Sequence, residues 1–345
     1  MAESVDLTIK PGAPEAGKKL PRIEISTYIL SQLISLLPKE RTESSPLPEN
    51  LSPIPVGQKF QDFLLEHRWG QMTQDDQLEL VTAAKQAVDA ILAPKTSVQL
   101  VLGSSKEMAT TQLFSAGDYA DDSLVLYQYK PDVDVHMIQP GQSPSDVSDA
   151  LLAQLLNGPH LEGLQFELNL EDQQLLTFLT ILDLVYTRQL KARLDGHAFP
   201  VYNFTSKAVW ARFSEIRLGE DLMWLSALVP YLFPYFPNSL DKNGLNEELK
   251  SLGEEGLITP INEDVYQPSD FCLALSEGLL PMVSFGSCAI STGSDLGLHL
   301  GFMVGLNVNL VVKGEPSVEG NRVTLMGVDG VQLSRLLFEL GLPKI

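Results

Sequence analysis

Hydrophobic residues along this chain follow two different periods. Apolar positions at helical spacing over residues 23–37 (Ile25, Ile29, Leu33, Leu36 and Leu37) predict a helix that Pro38 ends. A loop rich in proline and serine, residues 39–57, leads to a short helix over 60–67. A longer helix follows over 77–92, with Leu78, Val81, Ala84, Val88, Ile91 and Leu92 on one stripe and Pro94 beyond its end. The period then changes to two. Val98, Leu100 and Leu102 form one face of a strand, and strands continue over 112–115, 124–129 and 133–138. A helix over 146–156 closes this stretch, its first-turn acids complementing the helix dipole.

The middle of the chain has a helical pattern. Residues 171–194 form a strongly apolar helix with Arg188, Lys191 and Arg193 near its end and Gly196 beyond, both ordinary C-terminal signals. An aromatic helical segment spans 220–236, and another helix covers 245–255. The last third repeats the order of the first. A helix over 270–280 stops at Pro281, strands follow over 283–290, 298–304, 306–312 and 322–326, and a helix over 329–340 closes the chain. Pro94 pairs with Pro281, Gly70 with Gly256, and the closing helices with each other, all at an offset of about 185 positions.

These patterns predict an α+β fold built from an internally duplicated unit. Each unit is an antiparallel β-meander flanked by helices, and the two are related by a pseudo-two-fold axis. A central helical block containing a winged-helix-like segment lies between them. The expected divisions are a disordered tail over 1–20, a first α+β unit over 21–158, a helical connector block over 159–215 and a second α+β unit over 216–345.

Composition narrows the function classes. Of 345 residues, 24 are Lys or Arg and 44 are Asp or Glu, giving a net charge of −20 that repels phosphate backbones and anionic membranes. Cys272 and Cys288, both in apolar surroundings, make no disulfide framework. The first twenty residues carry charges throughout and no apolar h-region, so no signal peptide is expected. The apolar stretch over 222–236 is interrupted by Pro230 and Pro234 and is too short to span a bilayer. A cytoplasmic location follows by elimination, which makes the N-x-S/T sequences at Asn50 and Asn203 chance matches.

Candidate chemistry is sparse. Strand alternation would put Asp132, Asp134 and His136 on one face, as metal ligands require, but a polar solvent-facing strand beside Pro131 explains the same pattern. Asp118, Asp121 and Asp122 lack the spacing of a calcium loop and read as a hairpin turn. Gly286-Ser287-Cys288 lies inside an apparent strand, not at a nucleophile turn. His67, His160 and His299 have no evident partner in sequence and read as structural. Gly301 and Gly305 mark bulges or a close backbone approach and not a phosphate cradle. No metal, cofactor or catalytic residue is expected.

Two segments suggest partners. Residues 245–258, with Leu249, Leu252 and then Glu255-Gly256-Leu257-Ile258, match a recognition helix and the entry to a wing. Lys242 and Lys250 stand there against Asp241, Glu247, Glu248, Glu254 and Glu255, which excludes the phosphate contacts that DNA binding needs. The cluster Tyr231, Leu232, Phe233, Tyr235 and Phe236 reads as core or as the anchor of a protein interface.

The layout of the first unit carries a resemblance. Its parts are the helix over 60–67, Gly70, the Leu78-to-Leu92 helix, Ala93-Pro94, Val98-Gln99-Leu100-Val101-Leu102, strands over 124–129 and 133–138, and the helix over 146–156. This order is similar to the EspG-type chaperones of ESX (type VII) secretion. The resemblance implies a cytosolic, acidic, quasi-two-fold α+β protein that binds secreted helical substrate pairs and keeps them soluble. The larger helical block over 171–236 and the winged-helix-like segment depart from that family, and no binding residue carries over. The expected function is non-enzymatic protein binding, as a chaperone or adaptor for secreted helical proteins. The alternatives are a regulatory scaffold with winged-helix-like modules and an enzyme of unrecognised type. A protein partner is expected, without nucleic acid or membrane, and the oligomeric state stays open.

Overall fold

A computed structural model describes residues 20–37, 40–49, 51–104, 106–119, 124–155, 164–197, 202–219, 222–233, 239–293, 295–315 and 322–340. The expected tail therefore lies outside the described residues, apart from Leu20. The fold is mixed α+β, with ten α-helices and fourteen strands among the described residues.

The elements of the first part are β1 (Ile23–Ile25), α1 (Thr27–Ser35), α2 (Gln58–Glu66), β2 (Gly70–Met72), β3 (Leu78–Leu80), α3 (Thr82–Leu92), β4 (Thr96–Gly103), β5 (Met108–Ser115), β6 (Leu124–Lys130), β7 (Val135–Gln142) and α4 (Pro144–Leu155). Those of the second are β8 (Phe166–Glu171), α5 (Asp172–Leu194), α6 (Ser206–Gly219), α7 (Leu225–Leu232), α8 (Leu245–Glu254), β9 (Ile258–Asn262), β10 (Val265–Pro268), α9 (Asp270–Leu279), β11 (Ser284–Thr292), β12 (Asp295–Val304), β13 (Asn309–Glu315), β14 (Arg322–Val328) and α10 (Gly330–Leu340).

Ten strands form one sheet in the order β1-β7-β6-β5-β4-β11-β12-β13-β14-β8. Every neighbouring pair is antiparallel. The seam between the two parts is β4 against β11, paired from Thr96↔Thr292 to Gly103↔Phe285. β2–β3 and β9–β10 are separate hairpins.

Alternation along the strands builds the layers. On one face, α1, α2 and α3 enclose Leu30, Leu33, Phe60, Leu64, Trp69 and Ile91 against Phe114, Tyr127 and Ile138. On the same face, α5, α7, α8 and α9 pack against Phe285, Met303, Leu310, Val312 and Leu325. On the opposite face, α4 and α10 cover Leu100, Leu113, Cys288, Leu300, Phe302 and Val311. These two helices also bond to each other, as Ser148 Oγ donates to the Leu337 carbonyl at 2.7 Å. Helix α5 is buried on all sides from Leu175 to Tyr186, which explains its nearly unbroken apolar sequence there.

Several expected boundaries move for identifiable reasons. Residues 23–37 are a strand and then a helix. Ser26 separates them, its hydroxyl accepting from Ile29 N as the N-cap of α1, while Ile23 and Ile25 alternate inward against β7. The helix expected over 77–92 begins at Thr82, because Leu78 and Leu80 belong to a hairpin with β2. The strand expected from Val133 begins at Val135; Pro131–Val133 is one 3₁₀ turn, and Asp134 has φ +48°. In the aromatic segment, the α-helix covers only Leu225–Leu232. Residues 159–215, expected as helical connector, include edge strand β8, paired with β14, as well as α5.

Candidate functional site

The aromatic cluster divides at the end of α7. Leu232 and Phe233 are buried, whereas Tyr231 is 42% exposed. Phe233 lies directly over Gly301, where an added Cβ would stand 2.4 Å from its ring. The His299 ring is 4.8 Å from that of Phe233, and its Nε2 bonds to the Leu232 carbonyl. Leu232 and Phe233 therefore offer no surface to a partner; Tyr231 does. Tyr235 and Phe236 lie outside the described residues. At Gly301 the close neighbour is thus a side-chain ring and not the expected backbone, whereas a backbone does come close at Gly305. A Cβ on Gly305 would meet the backbone of Leu279 at 2.4 Å.

Asp132, Asp134 and His136 do not share a strand face. Asp132 is exposed in the 3₁₀ turn. Asp134 accepts from the Thr27 backbone N–H at 3.3 Å and from the Thr27 hydroxyl, at the first turn of α1. His136 is buried, with Nε2 2.9 Å from Thr27 Oγ1 and Nδ1 2.9 Å from the Tyr127 hydroxyl. A carboxylate only accepts, so Thr27 donates to Asp134 and receives the Nε2 proton of His136. Tyr127 then donates to Nδ1. In that chain the histidine cannot take a proton from Thr27, so it does not activate the hydroxyl. Burial holds the His136 imidazole below its ordinary pKa, against the opposing pull of Asp134. The chain anchors α1 to β7, and no group of three or more metal-ligating side chains occurs among the described residues.

His67 is half-buried, with Nδ1 2.9 Å from the Phe63 carbonyl. His160, Asp121 and Asp122 lie outside the described residues. Both thiols are buried and pushed up to about 12 by that burial, and Ser287-Cys288 is mid-strand in β11. Tyr119 and Tyr127 are also raised by burial.

Sequence reading missed the most buried charge. Asp183, wholly enclosed in α5, accepts from Leu225 N at 2.9 Å, Ser226 N at 3.0 Å and Ser226 Oγ at 2.7 Å. It thereby caps the N-terminus of α7. Burial pushes its carboxyl up to about 6, opposed by these bonds and by the Arg212 guanidinium. Arg212 is itself buried, stacked 4.0 Å over Trp224 and bonded to Glu215 at 2.9 Å. A single acid inside the run from Leu175 to Val185 was the available signal.

Two concavities stand out among the described residues. The first, of about 250 Å³, lies on the sheet between the two helical layers at the β4–β11 seam. Its floor is Gln112, Gln99 and Ala289 in one cross-strand row and Phe114, Ser97 and Ser291 in the next; Ser44 stands at its side. This lining contains no ionisable side chain. The second, of about 610 Å³, lies between α8 and the β9–β10 hairpin, over Pro260 and Tyr266. Its rim carries Glu247, Glu254 and Glu263 with one cation, Lys250.

Compared with known proteins, the chain matches no family model, and no curated protein matches it. Among the described residues, no helix is long and apolar enough to cross a membrane.

Proposed function

We propose that this chain is a non-enzymatic protein-binding module, a cytoplasmic chaperone or adaptor for secreted helical proteins of the kind its resemblance to EspG-type chaperones implies. The observation that carries this reading is the seam cleft. Catalytic pockets gather titratable groups with shifted pKa values; this cleft instead presents carboxamides and hydroxyls. Such groups recognise polar backbone and side chains without transforming them. Tyr231 is retained as a contact at the end of α7.

The duplication belongs to the same proposal. Outward from the seam, the strands run β5, β6, β7, β1 on one side and β12, β13, β14, β8 on the other. Each part starts with its edge strand, passes through helix, hairpin and helix, and ends in a four-strand meander and a helix. This matched order supports two copies of one unit, with α6 and α7 as the additions of the second.

A second reading, a regulatory scaffold with winged-helix-like modules, draws on one observation: α8 leads directly into the β9–β10 hairpin, as α2 leads into β2–β3. The acids of α8 make its contacts protein contacts, not DNA contacts.

The test is affinity capture by the full chain from a native extract of the source cells, with mass spectrometry of what co-purifies. A helical protein is expected at near-stoichiometric yield, weakened by Gln99→Ala with Gln112→Ala. Recovery of no partner overturns the proposal.

A further inference from the structure

The groove between α8 and the β9–β10 hairpin has a chemistry different from that of the seam cleft. Its floor is apolar: Pro260 lies 3.6 Å from where a Cβ on Gly253 would stand, and the Tyr266 ring is buried beneath. Its rim is acidic. Glu247 and Glu254 stand on α8, seven residues and thus about 10 Å apart along the axis. Glu263 faces them from the turn of the hairpin. Lys250, between the two α8 acids, is the cation of the lining. The field extends beyond the rim. The Glu248 carboxyl is raised by its own burial and by the nearby Glu171, Asp172, Glu247 and Asp241. Negative charge is thus crowded around α8 and outnumbers the nearby cations Lys242 and Lys250.

An apolar-floored groove that runs beside α8, itself about 15 Å long, and is flanked by carboxylates suits an amphipathic helix of opposite charge. We propose that this groove docks a partner helix that lays an apolar stripe on Pro260 and Tyr266 and presents Lys or Arg side chains about two turns apart to Glu247, Glu254 and Glu263. An acidic helix is repelled by the same rim, which gives the site selectivity among helical partners. The inference rests on the protein-binding reading above and names the partner chemistry for one surface of it.

The test uses the full chain and a designed helical peptide of leucine and lysine, about eighteen residues long, with a leucine–glutamate peptide as its counterpart. Binding is read by fluorescence anisotropy of the labelled peptide. The lysine peptide is expected to bind and the glutamate peptide not to. Glu247→Lys with Glu254→Lys is expected to weaken binding about tenfold or more. Both positions are exposed on α8, so the double variant retains the fold, checked by its unchanged circular dichroism. Glu43→Lys with Glu49→Lys makes the same change in net charge away from the groove and is expected to leave binding nearly unchanged. Equal weakening by the two double variants would show attraction to net charge alone and overturn the proposal. So would failure of the lysine peptide to bind. Either result leaves the affinity-capture test of the wider reading standing, because that test uses native partners and variants in the seam cleft.

Discussion

At the scale of single residues, two buried groups set opposing pH responses. The Asp183 carboxyl is pushed up to about 6 by burial, against an unfolded value near 4. The folded chain therefore binds a proton here more readily than the unfolded chain, and acidification from about 6 to about 4 adds stability through this group. His299 does the reverse. Burial holds it down to about 4, against about 6.5 when unfolded, so stability through this group is lost as pH falls through that window. Each shift corresponds to about 3 kcal/mol, and the two largely offset one another. Asp183→Asn removes the gain, so the variant is expected to fall further behind the parent at pH about 5 than at pH about 7.5. His299→Gln removes the loss and closes on the parent over the same interval. Urea unfolding of the three proteins at both pH values measures this, and pH-independent gaps would overturn it. A third residue carries a steric prediction. A methyl on Gly301 meets the Phe233 ring, so Gly301→Ala is expected to cost about 1–3 kcal/mol of stability by overpacking, read as a lower urea midpoint.

At the scale of elements, the N-terminal strand is held by few contacts and by one polar chain. β1 has three residues and pairs only with β7 among the described residues. Its junction with α1 is fixed where Thr27 meets Asp134 and His136. Thr27→Val keeps the shape of the side chain and removes the hydroxyl, leaving the Nε2 proton of His136 without its acceptor. The expected cost is about 1–3 kcal/mol, localised to β1 and α1. Hydrogen exchange should quicken in those two elements and stay unchanged in β11 to β13; uniform quickening would sink the local account. Strands β8, β9 and β10 went unread, but element type was legible in the sequence over α5, β4 to β7 and β11 to β14. Three-residue elements were not. Ile23 and Ile25 satisfy a helical stripe and a strand equally, as do Leu78 and Leu80, and only Ser26 and the hairpin partner decide. The placement of Asp134 was hidden for a similar reason. Alternation assumes extended backbone, and the left-handed turn after Pro131 ends it. The seam cleft could not be read at all, because Ser97, Gln99, Gln112 and Ser291 meet only when β4 pairs with β5 and β11.

At the scale of the whole molecule, the seam decides whether the two parts are independent. Eight consecutive residue pairs join β4 to β11, and both strands contribute to cores on both faces of the sheet. Val101 of β4 is buried in the core formed by α5 to α9, while Cys288 and Ile290 of β11 lie in the layer under α4 and α10. The α4–α10 contact crosses the same boundary on the opposite face. Separating the parts would expose apolar surface of both and leave two unpaired central strand edges, which have neither the shortness of β1 nor the acids of β8 to protect them from association. One cooperative unfolding transition is therefore expected despite the length of the chain. The tryptophans provide the probe. Trp69 is buried in the first part, and Trp210 and Trp224 pack in the second. In a Trp69→Phe variant, fluorescence reports the second part alone, while far-ultraviolet circular dichroism reports the whole sheet and all helices. Coincident urea midpoints for the two signals are the expected outcome. A second part that unfolds at a different denaturant concentration from the whole would show that the seam joins two separately stable bodies, and the cleft upon it could then open without loss of either fold.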